Sequence, residues 1–497
     1  MSRNMSRVYT LTGRLVAETP LHIGGVDAGD PMSDMPLAVD GQGRYYIPGT
    51  SLAGALRQWM SSGGEDEIHA LWGFQDGDKG LASLFTVEDA VVEGDVVSEV
   101  RDGVGIDAGT GTASSGIKYN TTILPRGTSV QFTCSLGVPR GEDVARAEAA
   151  VKMLTEALQH ASIRLGSQRT RGMGKVVLKD DKLRCAILDT RQGMIDHLRG
   201  HDSEILLESL ASGAETASRR IDISIQWHTT APMMVKSGVS GIAIDSLPLV
   251  SGVDGGQVAL TVPGSSLKGV LRSRATLIVN TVAGGSPDKA SHEAGKLVAM
   301  LFGSSRADKD KDPEVGGMGM LSVDDCYAKD DAVKRDAWAQ VEAAIEEADV
   351  RSALADSALD KKLSTAAHVA IDRWLGGASD KKLFTQMEPR DLKWEPMHFT
   401  LDLLRLEDKP EKQKQMMALL LLTLRDLAAG RVPLGFATNR GMGDITVDSI
   451  TLVPAGVDWM KEALTLEKGD IGHLPQGLLE ELGKAWQKAV VDHEGGV

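Results

Sequence analysis

The chain has 497 residues, of which 42% are hydrophobic and 25% are charged, and its formal net charge is −15. This length exceeds one ordinary hydrophobic core and predicts about two to four globular domains. The acidic charge argues against a protein that binds nucleic acid through its overall charge, although Lys and Arg can still cluster in a local groove.

Cysteine content and apolar runs indicate the compartment. Cys134, Cys185 and Cys326 are widely spaced and form no CxxC pair, which favours a reducing environment over a disulfide or zinc framework. The N-terminus lacks the basic-then-apolar order of a signal peptide. The longest apolar run, 416–422, is far too short to span a membrane. We therefore expect a cytoplasmic protein without a membrane contact.

The sequence repeats itself. The block IPGTSLAGALR at 47–57 returns as VPGSSLKGVLR at 262–272, and LGSQRTRGMG at 165–174 returns as LGFATNRGMG at 434–443. Between them, 71–73 (LWG) matches 301–303 (LFG), and 106–107 matches 371–372. The offset grows from 215 residues (262 − 47) to 269 residues (434 − 165), so the second copy carries insertions. Four matches in the same order predict a duplication.

Each copy combines strands with one long helix. Alternating apolar residues predict opening strands at 8–16 and 221–227. Apolar stripes predict helices at 144–163 and 412–429, and strands return at 176–178 and 445–447. This order favours an α+β protein of two tandem ferredoxin-like (RRM-like, split βαβ) domains, each with a protruding hairpin.

The predicted boundaries follow from composition. We expect a first domain at 1–202, a linker at 203–218 rich in Ala, Ser, Gly and Glu, and a second domain at 219–497. Insertions are expected near 305–315 and 329–366, the second one as surface helices. A helical tail is expected after about residue 455, docked through Leu479 and Trp486.

The PGxSLxGxLR block predicts a helix that follows a tight turn. Ser51 and Ser266 are candidate caps, and a helix N-terminus followed by basic residues suits a phosphate group. The alternative is an ordinary capped helix. The candidate phosphate-contacting residues of this block are Ser51, Arg57, Ser266, Lys268 and Arg272.

The Gly-rich block predicts a loop that lets a sugar–phosphate backbone approach closely, with arginines that grip phosphate. It is neither a Walker loop nor a dinucleotide fingerprint, because the residues that define those motifs are missing. The alternative is a plain hairpin turn. The candidate residues for this contact are Arg169, Arg171, Gly172 and Gly174 in the first copy and Asn439, Arg440, Gly441 and Gly443 in the second.

Two Gly-, Ser- and Thr-containing stretches, 103–113 and 369–378, predict long hairpins that stand away from the core. Such protrusions more often have a function than a purely structural role.

The ordered set LHIGG (21–25), IPGTSLAGALR, GID (105–107) and RGMG (171–174) resembles the RAMP superfamily. It looks closest to the repeated backbone subunit of type III CRISPR complexes, in the double-length form of type III-D-like systems. The resemblance implies that the PGxSL helix and the Gly-rich loop line a groove for guide RNA, with target RNA and other CRISPR subunits as partners. It also implies that the two hairpins are thumbs that wedge between base pairs, through Ile106 and Asp107 in copy one and through Ile371, Asp372 and Arg373 in copy two.

The resemblance further implies an endoribonuclease with one aspartate per copy. The matching positions are Asp34 and Asp245, each a short distance before its PGxSL block. Nearby alternatives are Asp27, Asp30 and Asp40 in copy one and Asp254 in copy two. One carboxylate can orient a 2′-hydroxyl or hold a hydrated Mg²⁺ or Mn²⁺ ion. No organic cofactor is expected.

Two positions depart from the duplication. Ala108 follows Ile-Asp in copy one where copy two has Arg373, which weakens the expected grip of the first thumb. His22 aligns with Met234, so we expect a structural role for this histidine.

The competing functions are a non-catalytic scaffold that only holds guide RNA and a stand-alone Gly-rich-loop enzyme.

Overall fold

The computed structural model describes residues 4–25, 33–61, 65–106, 110, 112–212, 219–282, 293–304, 315 and 317–491. It confirms the α+β class, with several antiparallel sheets. The chain divides into a first unit (1–103, 118–169 and 173–218) and a second unit (104–117, 170–172 and 219–497). Over the described ranges, no helix is both long enough and apolar enough to cross a membrane.

The first half of the chain contains one five-stranded antiparallel sheet, further strands that pair outside this sheet, and helices. Its strands are β1 (Met5–Ala17), β2 (Tyr46–Ile47), β3 (Phe74–Asp76), β4 (Lys79–Leu81), β5 (Phe85–Val87), β6 (Ala90–Val91), β7 (Glu99–Ile106), β8 (Ala113–Ile123), β9 (Ser129–Pro139), β10 (Val176–Ile187) and β11 (Ser203–Glu204). Its helices are α1 (Gly49–Met60), α2 (Glu65–Trp72), α3 (Val144–Gln159) and α4 (Arg191–Leu198). The sheet order is β11-β10-β1-β9-β5.

The second half has a matching five-stranded sheet and additional elements. Its strands are β12 (Arg220–Thr229), β13 (Val250–Val253), β14 (Gln257–Val262), β15 (Leu321–Val323), β16 (Cys326–Lys329), β17 (Val333–Lys334), β18 (Leu363–Ile371), β19 (Ala378–Pro389), β20 (Lys393–Trp394), β21 (Met397–Asp402), β22 (Ile445–Ala455) and β23 (Leu464–Glu467). Its helices are α5 (Gly264–Val282), α6 (Glu293–Phe302), α7 (Arg335–Ala343), α8 (Glu347–Leu354), α9 (Pro410–Ala428) and α10 (Gln476–Val491).

The two sheets have the same topology. The second has the order β15-β21-β12-β22-β23, which is the first order read from its other edge. In both, the opening strand is central and pairs with the strand before the long helix and with the strand after the Gly-rich block. The alternation of apolar residues in β1 buries one face of that strand, and Leu11 joins Leu154 and Leu158 of α3 in one core.

The insertions and the tail differ in part from expectation. Helices α7 and α8 fall within 329–366, but they bury Trp338 and Val350 in the core of the second unit, and 363–366 belong to β18. Of 305–315, all but residue 315 lies outside the described residues. In the tail, Trp486 packs against the core as predicted, whereas Leu479 is exposed, and strand β23 was not foreseen.

The predicted linker is structured at its start. Strand β11 pairs with β10, and Leu210 is buried in the core of the first unit. The first unit therefore continues beyond the predicted boundary at residue 202.

Candidate functional site

Asp34 lies at the base of the first hairpin, in the loop that follows β1. Its N–H donates to Oδ1 of Asn120 at 2.7 Å, and its Oδ2 accepts from the N–H of Asn120 at 2.9 Å. The next residue, Met35, forms a parallel β-bridge with Thr121. These hydrogen bonds fix Asp34 to β8. The residue is exposed, so its carboxylate is accessible from solvent.

Asp245 occupies the same frame in the second unit. Its N–H donates to Oγ1 of Thr385 at 3.1 Å, and its Oδ2 accepts from the N–H of Thr385 at 2.7 Å. Ser246 forms a parallel bridge with Gln386, as Met35 does with Thr121. The hydrogen bond from the Thr385 N–H is the largest cause that lowers the pKa of Asp245, so this exposed carboxyl is ionised at neutral pH.

The two frames are related by the duplication. The bridged residues differ by 211 positions in the loop (246 − 35) and by 265 in the hairpin (386 − 121). These are the offsets that relate Asp34 to Asp245 and Ile106 to Ile371 in the sequence. The structure thus gives both aspartates one local environment, which sequence alignment alone does not show.

The described rival aspartates have turn-forming roles. Oδ1 of Asp40 accepts from the N–H groups of Gln42 and Arg44, and its Oδ2 accepts from Nε of Arg44. Asp254 opens the 3₁₀ turn between β13 and β14. Asp27 and Asp30 lie outside the described residues. Asp34 and Asp245 therefore remain the predicted pair.

The Gly-rich blocks form the same loop twice. Each contains a short 3₁₀ turn, Arg169–Arg171 or Thr438–Arg440. The four corresponding pairs of residues with positive φ are Gly166 and Gly435 (76° and 86°), Gln168 and Ala437 (53° and 58°), Gly172 and Gly441 (93° and 82°), and Gly174 and Gly443 (94° and 87°).

Internal packing explains some of these glycines. A Cβ atom on Gly174 would lie 2.3 Å from the carbonyl oxygen of Leu165, and one on Gly443 would lie 2.1 Å from that of Leu434. Gly172, Gly174 and Gly443 are buried, whereas Gly441 is exposed. The packing of their own loops therefore requires glycine at Gly174 and Gly443, and contact of the four predicted glycines with RNA stays a prediction.

The PGxSL helices begin earlier than expected. Helix α1 starts at Gly49 and α5 at Gly264, so Ser51 and Ser266 are third in their helices, and the prediction that they are the caps is wrong. Aspartates from elsewhere accept the first N–H groups instead: Oδ1 of Asp89 from Gly49 at 2.7 Å, and Oδ1 of Asp325 from Gly264 at 2.8 Å. Sequence reasoning missed this pair, although both aspartates follow matching strands, β5 and β15.

These carboxylates change the expected phosphate site. A phosphate at either helix start would meet the negative charge of Asp89 or Asp325. Lys268 is also placed differently from expectation, because it is only 5% exposed and its Nζ donates to the carbonyl of Leu321 at 2.7 Å. Burial lowers the pKa of Lys268 to about 7. Arg57 is half-buried and Arg272 is exposed, and their contact with RNA stays a prediction.

In the first unit, the Gly-rich loop meets α1. Nη2 of Arg169 donates to Oε1 of Gln58 at 3.0 Å, next to Arg57 in the sequence. Burial lowers the pKa of Arg169. Arg171 is exposed. Arg169 therefore lies against α1, beside the residue that follows Arg57 in the sequence.

In the second unit, the Gly-rich loop meets the hairpin. The guanidinium of Arg440 lies 5.2 Å from the ring centroid of Phe384 and 5.3 Å from that of Phe436. Arg440 and Asn439 are exposed. Phe384 adjoins Thr385, which holds Asp245, so the Gly-rich loop, the hairpin and the aspartate loop converge here.

The model of the RAMP superfamily matches the sequence over residues 14–177 and 254–446, more than half of the chain. The chain belongs to the RAMP superfamily. No curated protein gives a significant match. The two matched segments agree with a tandem RAMP protein, and Asp245 lies just before the second one. Membership suggests a CRISPR-associated subunit, and RAMP proteins typically bind RNA within CRISPR complexes.

Both predicted hairpins of this RAMP protein are present, as β7–β8 and β18–β19. Ile106 is 63% and Ile371 58% exposed, and Asp107 lies outside the described residues. Oδ1 of Asp372 accepts from the N–H of Trp374 at 2.8 Å and thereby shapes the second tip, where Arg373 is exposed. Trp374, which is 95% exposed, was not singled out from the sequence, although an aromatic residue in a Gly-rich tip was the available signal.

Two further expectations concern His22 and the metal. His22 is buried and its Nδ1 lies 2.7 Å from the carbonyl oxygen of Thr122, which confirms its structural role. Within the described ranges, no three His, Cys, Asp or Glu side chains form a group that could hold a metal ion. That Asp34 and Asp245 hold a divalent ion stays a prediction.

Proposed function

We propose that this RAMP protein is a backbone subunit of a type III CRISPR ribonucleoprotein that binds guide RNA and cleaves complementary target RNA at two positions. The observation that carries the proposal is the repeated frame in which Asp34 is held by Asn120 and Asp245 by Thr385. In both units the exposed carboxylate lies at the base of a protruding hairpin. A strand bent by the hairpin would pass the carboxylate.

The hairpins supply the bending. Their tips expose large apolar side chains, which would otherwise be costly in water and which can insert between or stack on bases. The exposed residues at or near these tips are Val104, Ile106, Ile117, Val369, Ile371, Trp374, Leu375 and Leu383. Two such wedges in one chain support two regularly spaced cuts.

Cleavage uses the ribose of the RNA as the nucleophile. The 2′-oxygen gives its proton to water and forms a bond to the adjacent phosphorus while the bond from phosphorus to the next 5′-oxygen breaks. The leaving 5′-oxygen takes a proton from water, so the products are a 2′,3′-cyclic phosphate and a 5′-hydroxyl. An ionised aspartate accepts a hydrogen bond from the 2′-hydroxyl and orients it in line. The N–H of Asn120 or Thr385 fixes each carboxylate on its hairpin.

A divalent ion such as Mg²⁺ or Mn²⁺, when bound, supplies positive charge that stabilises the phosphorane. Asp34 and Asp245 are the residues that would hold it, one in each unit. Among the described residues, each proposed site would hold such an ion through a single aspartate carboxylate. Such a site favours slow, single cuts over rapid turnover.

The test is cleavage mapping in the assembled complex with Asp34→Asn, Asp245→Asn and the double variant. Each single variant is expected to slow one cut by about 100-fold or more and leave the other, and the double variant to lose both. Matched controls are Asp40→Asn and Asp254→Asn, which change rival aspartates that lie in turns. Unchanged cutting by the double variant would show that the chain is a guide-binding scaffold.

A further inference from the structure

A cluster of two cations and two aromatic rings, which we call the clamp, lies in the second unit. It consists of Lys236, Phe384, Phe436 and Arg440. The Nζ of Lys236 lies 5.7 Å from the ring centroid of Phe436, and the Arg440 guanidinium lies within 5.3 Å of both rings. Lys236 and Arg440 are exposed and both rings are half-buried, so the rings are anchored while the charges face solvent.

The clamp adjoins the Asp245 carboxylate. Phe384 immediately precedes Thr385, whose N–H and Oγ1 donate to Oδ2 of Asp245 at 2.7 and 3.1 Å. Lys236 pairs with Pro248 across the loop that contains Asp245. After the Thr385 N–H, which is the largest cause, the charge of Lys236 also lowers the pKa of Asp245. Lys236 therefore acts on the carboxylate and shares the Phe436 ring with Arg440.

The first unit has the same backbone frame without this clamp. Gly24 pairs with Leu37 as Lys236 pairs with Pro248. Ser167 donates its N–H to His22 as Phe436 does to Met234. Copy one thus has glycine and serine where copy two has a cation and an aromatic ring. The arginine is shared, as Arg171 and Arg440.

We propose that Lys236 and Arg440, oriented by Phe436 and Phe384, bind the scissile phosphate beside Asp245, so that the second site cleaves faster than the first. This inference rests on the proposed function. A guanidinium stacked on a ring keeps its in-plane N–H donors for a phosphate. With both cations on the phosphate, their positive charges oppose the extra negative charge that develops on the phosphorane.

The experiment measures single-turnover rates at each cut position separately in the assembled complex, after the Asp→Asn variants have assigned the positions. We expect the Asp245-dependent cut to be about 10-fold faster. Lys236→Gln should slow that cut by about 10-fold and leave the Asp34-dependent cut unchanged, and Lys236→Arg should retain most of the rate.

The reciprocal variant is Gly24→Lys. Among the described residues, a Cβ on Gly24 meets Nε2 of His22 alone, at 3.7 Å, which is ordinary contact, so a side chain fits there. This variant should speed the Asp34-dependent cut. Unchanged rates in both Lys236→Gln and Gly24→Lys, or equal slowing of both cuts by Lys236→Gln, would overturn the clamp while the proposed function stands. If neither cut depends on Asp34 or Asp245, both proposals fall.

Discussion

A Cβ atom built on Gly435 would lie 2.2 Å from the carbonyl oxygen of Met234. The same distance separates such an atom on Gly166 from the carbonyl oxygen of His22. In both units the Gly-rich loop therefore presses its backbone against the segment that follows the central strand. This contact therefore positions the arginine of each loop.

The first prediction concerns this contact. Gly435→Ala places a methyl group into backbone at a φ of +86°, so we expect a loss of about 3 kcal/mol in the free energy of unfolding of the second unit. Gly441→Ala is the matched control, because its φ is +82° but nothing lies within 4 Å of the new atom. The control should lose only about 1 kcal/mol. Urea unfolding measures both, and equal losses would contradict the packing argument.

The fold class was predictable because periodicity and repetition report directly on burial. The long helix predicted at 144–163 is observed at Val144–Gln159, and the opening strand at 8–16 is observed at Met5–Ala17. The helix caps were not predictable, because Asp89 and Asp325 reach Gly49 and Gly264 from about 40 and 61 residues along the chain. A side chain that is close only in the folded state leaves no local signal.

The candidate site was likewise predictable only in part. Asp34 and Asp245 could be placed by matching the two copies, but their anchoring to Asn120 and Thr385 could not, since it depends on a parallel bridge between distant segments. For Lys268 the sequence was misleading. Its helix position predicted an accessible side chain, whereas tertiary packing buries it.

The second prediction concerns pH. Burial lowers the pKa of Lys268 to about 7 from 10.5, so between about pH 7 and 10 the unfolded chain carries a proton that the folded chain has released. The free energy of unfolding should therefore rise with pH in this window, by at most about 1.4 kcal/mol per pH unit from this group. Lys268→Met should reduce that rise. Denaturation at several pH values compares the two proteins, and parallel curves would show that Lys268 keeps an ordinary pKa.

The third prediction concerns the second hairpin tip. Trp374 is 95% exposed, so Trp374→Ala should change the free energy of unfolding by no more than about 0.5 kcal/mol. If its ring stacks on a base, the same change should weaken target-RNA binding by the assembled complex about 10-fold. Trp374→Phe retains an aromatic face and serves as the control. Equal affinity of the alanine variant and the wild type would exclude stacking by this residue.

The fourth prediction concerns the isolated chain. Its net charge of −15 repels RNA at long range, and local Lys and Arg side chains oppose this repulsion. We expect the purified chain to bind single-stranded RNA no more tightly than about 1 μM at physiological salt. If Arg57, Arg171, Arg272 and Arg440 each contact one phosphate, the logarithmic salt slope should be about −3. Fluorescence anisotropy across a salt series measures both quantities. Nanomolar binding by the chain alone would mean that it forms a complete groove without neighbouring subunits, because a groove shared between subunits gives tight binding only after assembly.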